Sequence, residues 1–140
     1  MDPVIYWYAV ATVILFVKML AISVYQGYHR IGKQAFKTPE DAAFMGRKPL
    51  AEELPQVQRG ARAWLNDLEN IPAFWALGAV YIFVGASATA AAWLFMIFTV
   101  ARVLHTVFYL CAVQPWRTLA YAVALLCLFG MVIQILLVLS

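Results

Sequence analysis

Apolar residues fill four long stretches of the chain, separated by segments in which charged and turn-forming residues gather. The stretches cover about 4–30, 56–84, 88–112 and 115–139, with a polar connection over about 31–55 between the first two. A helix needs roughly 20 mostly apolar residues to cross about 30 Å of hydrocarbon. The pattern predicts an all-α membrane protein, with residues 1–140 forming one domain, a bundle of four transmembrane helices.

Local signals refine these limits. Thr38-Pro39-Glu40-Asp41 reads as the start of a short helix within the connection: an N-capping Thr, Pro at the first position, then acids that suit the helix dipole. Gly46 would end it, and Pro49 and Pro55 bracket the rest of the connection. In the second stretch the apolar part, Ile71 to Val84, is too short to span alone. Its charged first half, Arg59 to Glu69, therefore belongs to the same helix and lies inside the bundle, with a kink expected at Pro72. Pro115 suits the first position of the last helix, after a tight turn at Val113-Gln114.

Composition agrees with a bilayer as the solvent: 65% of the 140 residues are hydrophobic and only 12% charged. Tyr6, Trp7 and Tyr8 open the first helix with residues that settle at headgroup level, and that helix is too long for a cleaved signal peptide. Net charge is +3, and seven basic residues, Arg30, Lys33, Lys37, Arg47, Lys48, Arg59 and Arg62, lie in or beside the first connection. By the positive-inside rule that connection faces the cytoplasm, and both termini face the other side. Interleaved Glu40, Asp41, Glu52 and Glu53 argue against nucleic acid as the partner of this basic segment. Cys111 and Cys127 stand in apolar surroundings, and neither they nor the isolated His29 and His105 have metal-ligand spacing. No metal is expected.

The charges inside the helices carry the chemical information. Arg59, Arg62, Asn66 and Glu69 are spaced by three, four and three, which places them on one helical face. Arg102, His105 and Tyr109 repeat the device on the third helix, and Arg117 and Tyr121 on the fourth. All three stripes fall toward the cytoplasmic side, the arrangement of a site open to one compartment. A charge facing lipid at the bilayer centre costs roughly 2.5–3.5 kcal/mol, so the stripes must face protein or water. Pairing within the bundle, Arg102 with Glu69 and Lys18 with Asp67, would lock the helices together. It does not balance the set, because Lys18, Arg59, Arg62, Arg102 and Arg117 outnumber Asp67 and Glu69. The surplus of cations points to an anionic ligand.

Four segments together resemble one family. Arg59-Gly-Ala-Arg62-Ala-Trp-Leu-Asn66-Asp67-Leu-Glu69 is similar to the R-x-x-R-A-x-x-N-D-x-E signature of the membrane-associated proteins in eicosanoid and glutathione metabolism, the MAPEG family, and of its microsomal prostaglandin E synthase-like branch. Lys37-Thr-Pro39-Glu40-Asp41, Arg102-Val-Leu-His105-Thr-Val-Phe-Tyr109 and Arg117-Thr118-Leu-Ala-Tyr121 agree with it in order, so the resemblance covers nearly the whole chain. It implies a homotrimer of four-helix subunits with one glutathione at each subunit interface, near the cytoplasmic side. By that carry-over the glutathione-binding residues are Arg30, Arg62, Asn66, Glu69, Arg102, His105, Tyr109, Arg117 and Tyr121. Arg117 would stabilise the glutathione thiolate, and Thr118 stands where the family's prostaglandin synthases carry a serine.

Two departures bear on the substrate: Gln58 replaces an acidic residue that usually precedes the signature, and Trp64-Leu65 stands where prostaglandin synthases have His-Arg. The expectation is therefore a glutathione transferase or peroxidase acting on lipophilic electrophiles that arrive from the bilayer. A prostaglandin E synthase-like isomerase is the alternative within the family, and a non-catalytic lipid-binding scaffold the alternative outside catalysis. Short connections and the absence of a retention signal at Val138-Leu139-Ser140 favour a bacterial inner membrane over the endoplasmic reticulum.

Overall fold

The computed structural model describes residues 2–140, which form five helices and, among the described residues, no strand. Helix α1 spans Pro3–Gly32, α2 Pro39–Phe44, α3 Pro55–Phe83, α4 Ala88–Leu110 and α5 Trp116–Leu139. Three of them, α1, α4 and α5, are long and apolar enough to cross a membrane. Although α3 has 29 residues, its first half carries Arg59, Arg62, Asp67 and Glu69, which sets it apart from those three in composition.

Short-range chemistry sets the helix ends. The Asp2 carboxylate caps α1 by accepting from the amides of Val4 at 2.7 Å and Ile5 at 3.3 Å. Proline occupies the first turn of α1, α2 and α3, where its missing N–H leaves no intrahelical bond unmade. Thr38 does stand at the N-cap of α2, but its hydroxyl makes no capping bond. Gly46 follows that helix at φ +64° and Gly85 follows α3 at φ +66°, left-handed positions that suit a residue without Cβ. Helix α3 runs unbroken through Pro72. Helix α4 ends at Leu110, and α5 begins at Trp116, one residue later than expected, with Pro115 at the N-cap position making no side-chain capping bond.

The four long helices pack as a ring, α1 against α3 and α4, and α5 against α4 and α3. The half of the bundle near the α3–α4 turn is held by aromatic rings. Phe74 stacks on Phe98 with centroids 4.6 Å apart, Phe95 meets Phe74 and Tyr81 edge-on at 5.4 Å, and Tyr8 donates a hydrogen bond to the Trp75 carbonyl at 2.9 Å. Helix α1 approaches α3 closely there because Gly78 presents only backbone to the Tyr8 ring. Outward-facing residues such as Val13, Phe16 and Val17 on α1 and Leu126, Phe129 and Ile133 on α5 are each more than half exposed, an apolar exterior suited to lipid. The opposite half of the bundle holds the charges.

Candidate functional site

At the centre of the charged half, Asp67 of α3 lies fully buried between two cations from other helices. Its Oδ2 accepts from Lys18 Nζ of α1, and its Oδ1 from Arg102 Nη2 of α4 at 2.5 Å. Arg102 is fully buried and Lys18 nearly so. Of the two pairs that the sequence offers, Lys18 with Asp67 and Arg102 with Glu69, only the first forms. Glu69 instead points out of the bundle and is exposed, so one carboxylate serves both cations. The triad keeps a net positive charge within the protein, a state costly to desolvate unless anions lie near.

Arg102 also connects this core to a cleft. The same Nη2 donates to Asn66 Oδ1 at 2.9 Å, and Asn66 lines a polar cleft of about 250 Å³ together with His105, Tyr109, Arg117, Thr118 and Tyr121. Three helices contribute: α3 gives Asn66, α4 gives His105 and Tyr109, and α5 the rest. The helical spacing explains the convergence, since His105 and Tyr109 are four residues apart on α4, and Arg117 and Tyr121 four apart on α5. The Arg117 guanidinium sits over the Tyr109 ring, 4.6 Å from its centroid.

On the other side of Tyr109 and Arg117 an adjoining cleft of about 290 Å³ is lined by Gln58, Arg59, Arg62 and Gln114. Arg59 donates to the Leu110 carbonyl at 3.4 Å. Among the described residues, none of Arg59, Arg62 and Arg117 has a carboxylate within 4.0 Å, whereas Arg30, Lys18 and Arg102 are each paired. The two clefts thus meet at one uncompensated cation, Arg117, and the second adds Arg59 and Arg62. Beneath them, Arg102 Nε and Nη1 and His105 Nδ1 are buried and have no hydrogen-bond partner in the protein. Such a donor set, guanidinium groups with phenol, hydroxyl and amide side chains, fits a flexible anion carrying several acceptors.

Not every residue expected at the site is there. Arg30 is drawn to Glu53, whose Oε2 accepts from its Nε at 3.0 Å and its Nη2 at 2.7 Å, so it lines neither cleft. Glu69 is likewise outside them, and Arg102 sits below the cleft instead of lining it. Gln58 and Gln114 line the second cleft without having been singled out as site residues. Gln114 leaves no periodic signal because it lies in the turn before α5.

Known proteins resemble most of the chain. A model of the MAPEG family matches residues 8–137. Prostaglandin E synthase of Homo sapiens is 37% identical over 136 residues, covering 96% of this chain and 90% of that protein. Prostaglandin E synthase of Equus caballus is 39% identical over 129 residues, 91% of this chain and 84% of its own. Microsomal glutathione S-transferase 1 of Mus musculus is 40% identical over 118 residues, covering 81% and 76%.

Proposed function

The chain belongs to the MAPEG family, and from that premise we propose that this multi-pass membrane enzyme uses glutathione, transferring it to or reducing with it lipophilic electrophiles dissolved in the bilayer. The observation that carries the reading is the cleft uniting Asn66, His105, Tyr109, Arg117, Thr118 and Tyr121, which meets at the unpaired Arg117 an adjoining cleft lined by Arg59 and Arg62. Glutathione has two carboxylates and a thiol, the class of ligand that such donors hold.

Bound glutathione supplies a sulfur nucleophile. A free thiol has a pKa of about 8.5 and is mostly protonated at neutral pH, and a guanidinium beside it favours the thiolate. Arg117 has that part here: its charge is unpaired and its plane is held over Tyr109. Thr118 and Tyr121 offer hydroxyls on the same helix face, while Asn66, fixed by Arg102, orients the peptide. Holding thiolate and electrophile together then contributes effective molarity.

The bundle is proposed to span the membrane four times, α3 included, and to act as a homotrimer. Arg62 and Glu69 are exposed on the same side of α3 as Leu65. Facing lipid, each charge would cost roughly 2.5–3.5 kcal/mol, which a second subunit or water at an interface relieves. An interface there also gives Arg30 and Glu69 access to a neighbouring cleft. The basic connection puts the site on the cytoplasmic side, and a bacterial inner membrane remains the proposed compartment.

Conjugation of a model aryl halide by purified protein tests the reading. Product formation that depends on glutathione supports it; absence of turnover together with absence of a bound-thiolate signal refutes it. Replacement R117A should lower kcat about a hundredfold while leaving the oligomer intact on gel filtration. The relatives named prostaglandin E synthase favour a second reading, a prostaglandin E synthase-like glutathione-dependent isomerase. Leu65, where a cation would be expected for that chemistry, makes transfer or reduction the first choice.

A further inference from the structure

Gln114 precedes α5 and, like Arg117, borders the second cleft. The orientation of its amide is assigned from its neighbours: with the oxygen toward the guanidinium it accepts from Arg117 Nε at 3.1 Å and from Nη2 at 2.5 Å, while its nitrogen donates to Thr118 Oγ1 at 3.1 Å. The reverse orientation would set amide hydrogens against guanidinium hydrogens. One neutral side chain thus grips both residues expected to act on the sulfur.

The geometry points to Gln114 as a positioning residue, one that fixes the Arg117 guanidinium over Tyr109 and fixes the Thr118 hydroxyl while leaving the cation's charge undiminished. This deepens the glutathione reading and rests on it. A guanidinium has five N–H donors in a rigid plane; with Nε and one Nη2 hydrogen committed to Gln114, Nη1 and the other Nη2 hydrogen are left for an anion in the cleft. A carboxylate would hold the same two hydrogens, but it would also neutralise the field that favours the thiolate. Neutrality therefore matters as much as reach. The other titratable or charged groups lining the clefts beside Arg117 are His105 and Tyr109 on α4, Tyr121 on α5, and Arg59 and Arg62 on α3. None of these is a carboxylate, so Q114E would introduce the first one.

The test uses full-length protein in detergent or lipid, with the bound-glutathione thiolate followed by its ultraviolet absorbance and kcat/KM measured across pH. Replacement Q114E should keep the position of Arg117 yet move the thiolate midpoint upward by about one pH unit. Replacement Q114L should leave that midpoint nearer the wild-type value but lower kcat about fivefold, with the KM for glutathione within about twofold, because the guanidinium loses its anchor. Melting temperature and gel filtration verify that both variants are folded, which the exposed turn position favours. A Q114E midpoint equal to wild type overturns the role of Gln114 alone. A wild-type protein with no thiolate signal overturns the functional reading and this inference together.

Discussion

The buried carboxylate of Asp67 shows how much of this protein rests on single side chains. It compensates Lys18 and Arg102 simultaneously, one on each oxygen. Replacement D67A would leave two cations in the core with no counter-charge, and breaking such an arrangement typically costs about 3–5 kcal/mol. Thermal unfolding in detergent should show a large fall in melting temperature for D67A and a much smaller one for E69A, whose carboxylate has no ion-pair partner among the described residues. Equal losses would mean that Glu69 shares the structural burden. The contrast also marks where sequence was legible and where it was not. The lysine's partner was narrowed to Asp67 or Glu69, because few acids stood at membrane depth, but the choice between them stayed open. Asp67 and Glu69 are only two residues apart, yet at about 100° per residue they point to nearly opposite sides of α3. Which side turns inward is decided by α1 and α4, and helical periodicity within α3 carries no record of them.

Among the helices, local chemistry was the most readable layer. Pro39 begins a helix and Gly46 follows it, because capping and backbone restriction act over a few residues. Close approach between helices is harder to read, since a glycine in a membrane helix looks the same whether or not a partner rests on it. Gly78 and Gly27 separate the two cases. A methyl group on Gly78 would collide with the Tyr8 ring, whereas one on Gly27 meets nothing within 4 Å. Replacement G78A should destabilise the bundle by about 1–3 kcal/mol through overpacking. By contrast G27A should be neutral or stabilising by up to about 1 kcal/mol through helix propensity. Chemical denaturation of the two variants in matched micelles is the measurement, and similar stabilities would mean that α1 and α3 slide past each other freely.

For the whole molecule, the question is whether one subunit contains a complete site. The four-residue spacings on α4 and α5 made the convergence of Asn66, His105, Tyr109 and Arg117 foreseeable, but Arg30, from α1, is tied to Glu53 and lies outside the cleft. If the proposed trimer completes each site across an interface, Arg30 of one copy serves the cleft of its neighbour. Mixed assemblies test this directly. Homotrimers of R30A and of R117A should each be nearly inactive. Co-expressed, a subunit lacking only Arg117 still offers Arg30, and a neighbour lacking only Arg30 still offers Arg117, so about a quarter of the interfaces in a randomly mixed closed ring regain both. Activity of mixed trimers at that fraction of wild type would place the site between subunits. A mixture no more active than its parents, with mixed assembly verified by paired affinity tags, would place the two arginines in the same subunit's site and require Arg30 to leave Glu53 when glutathione binds.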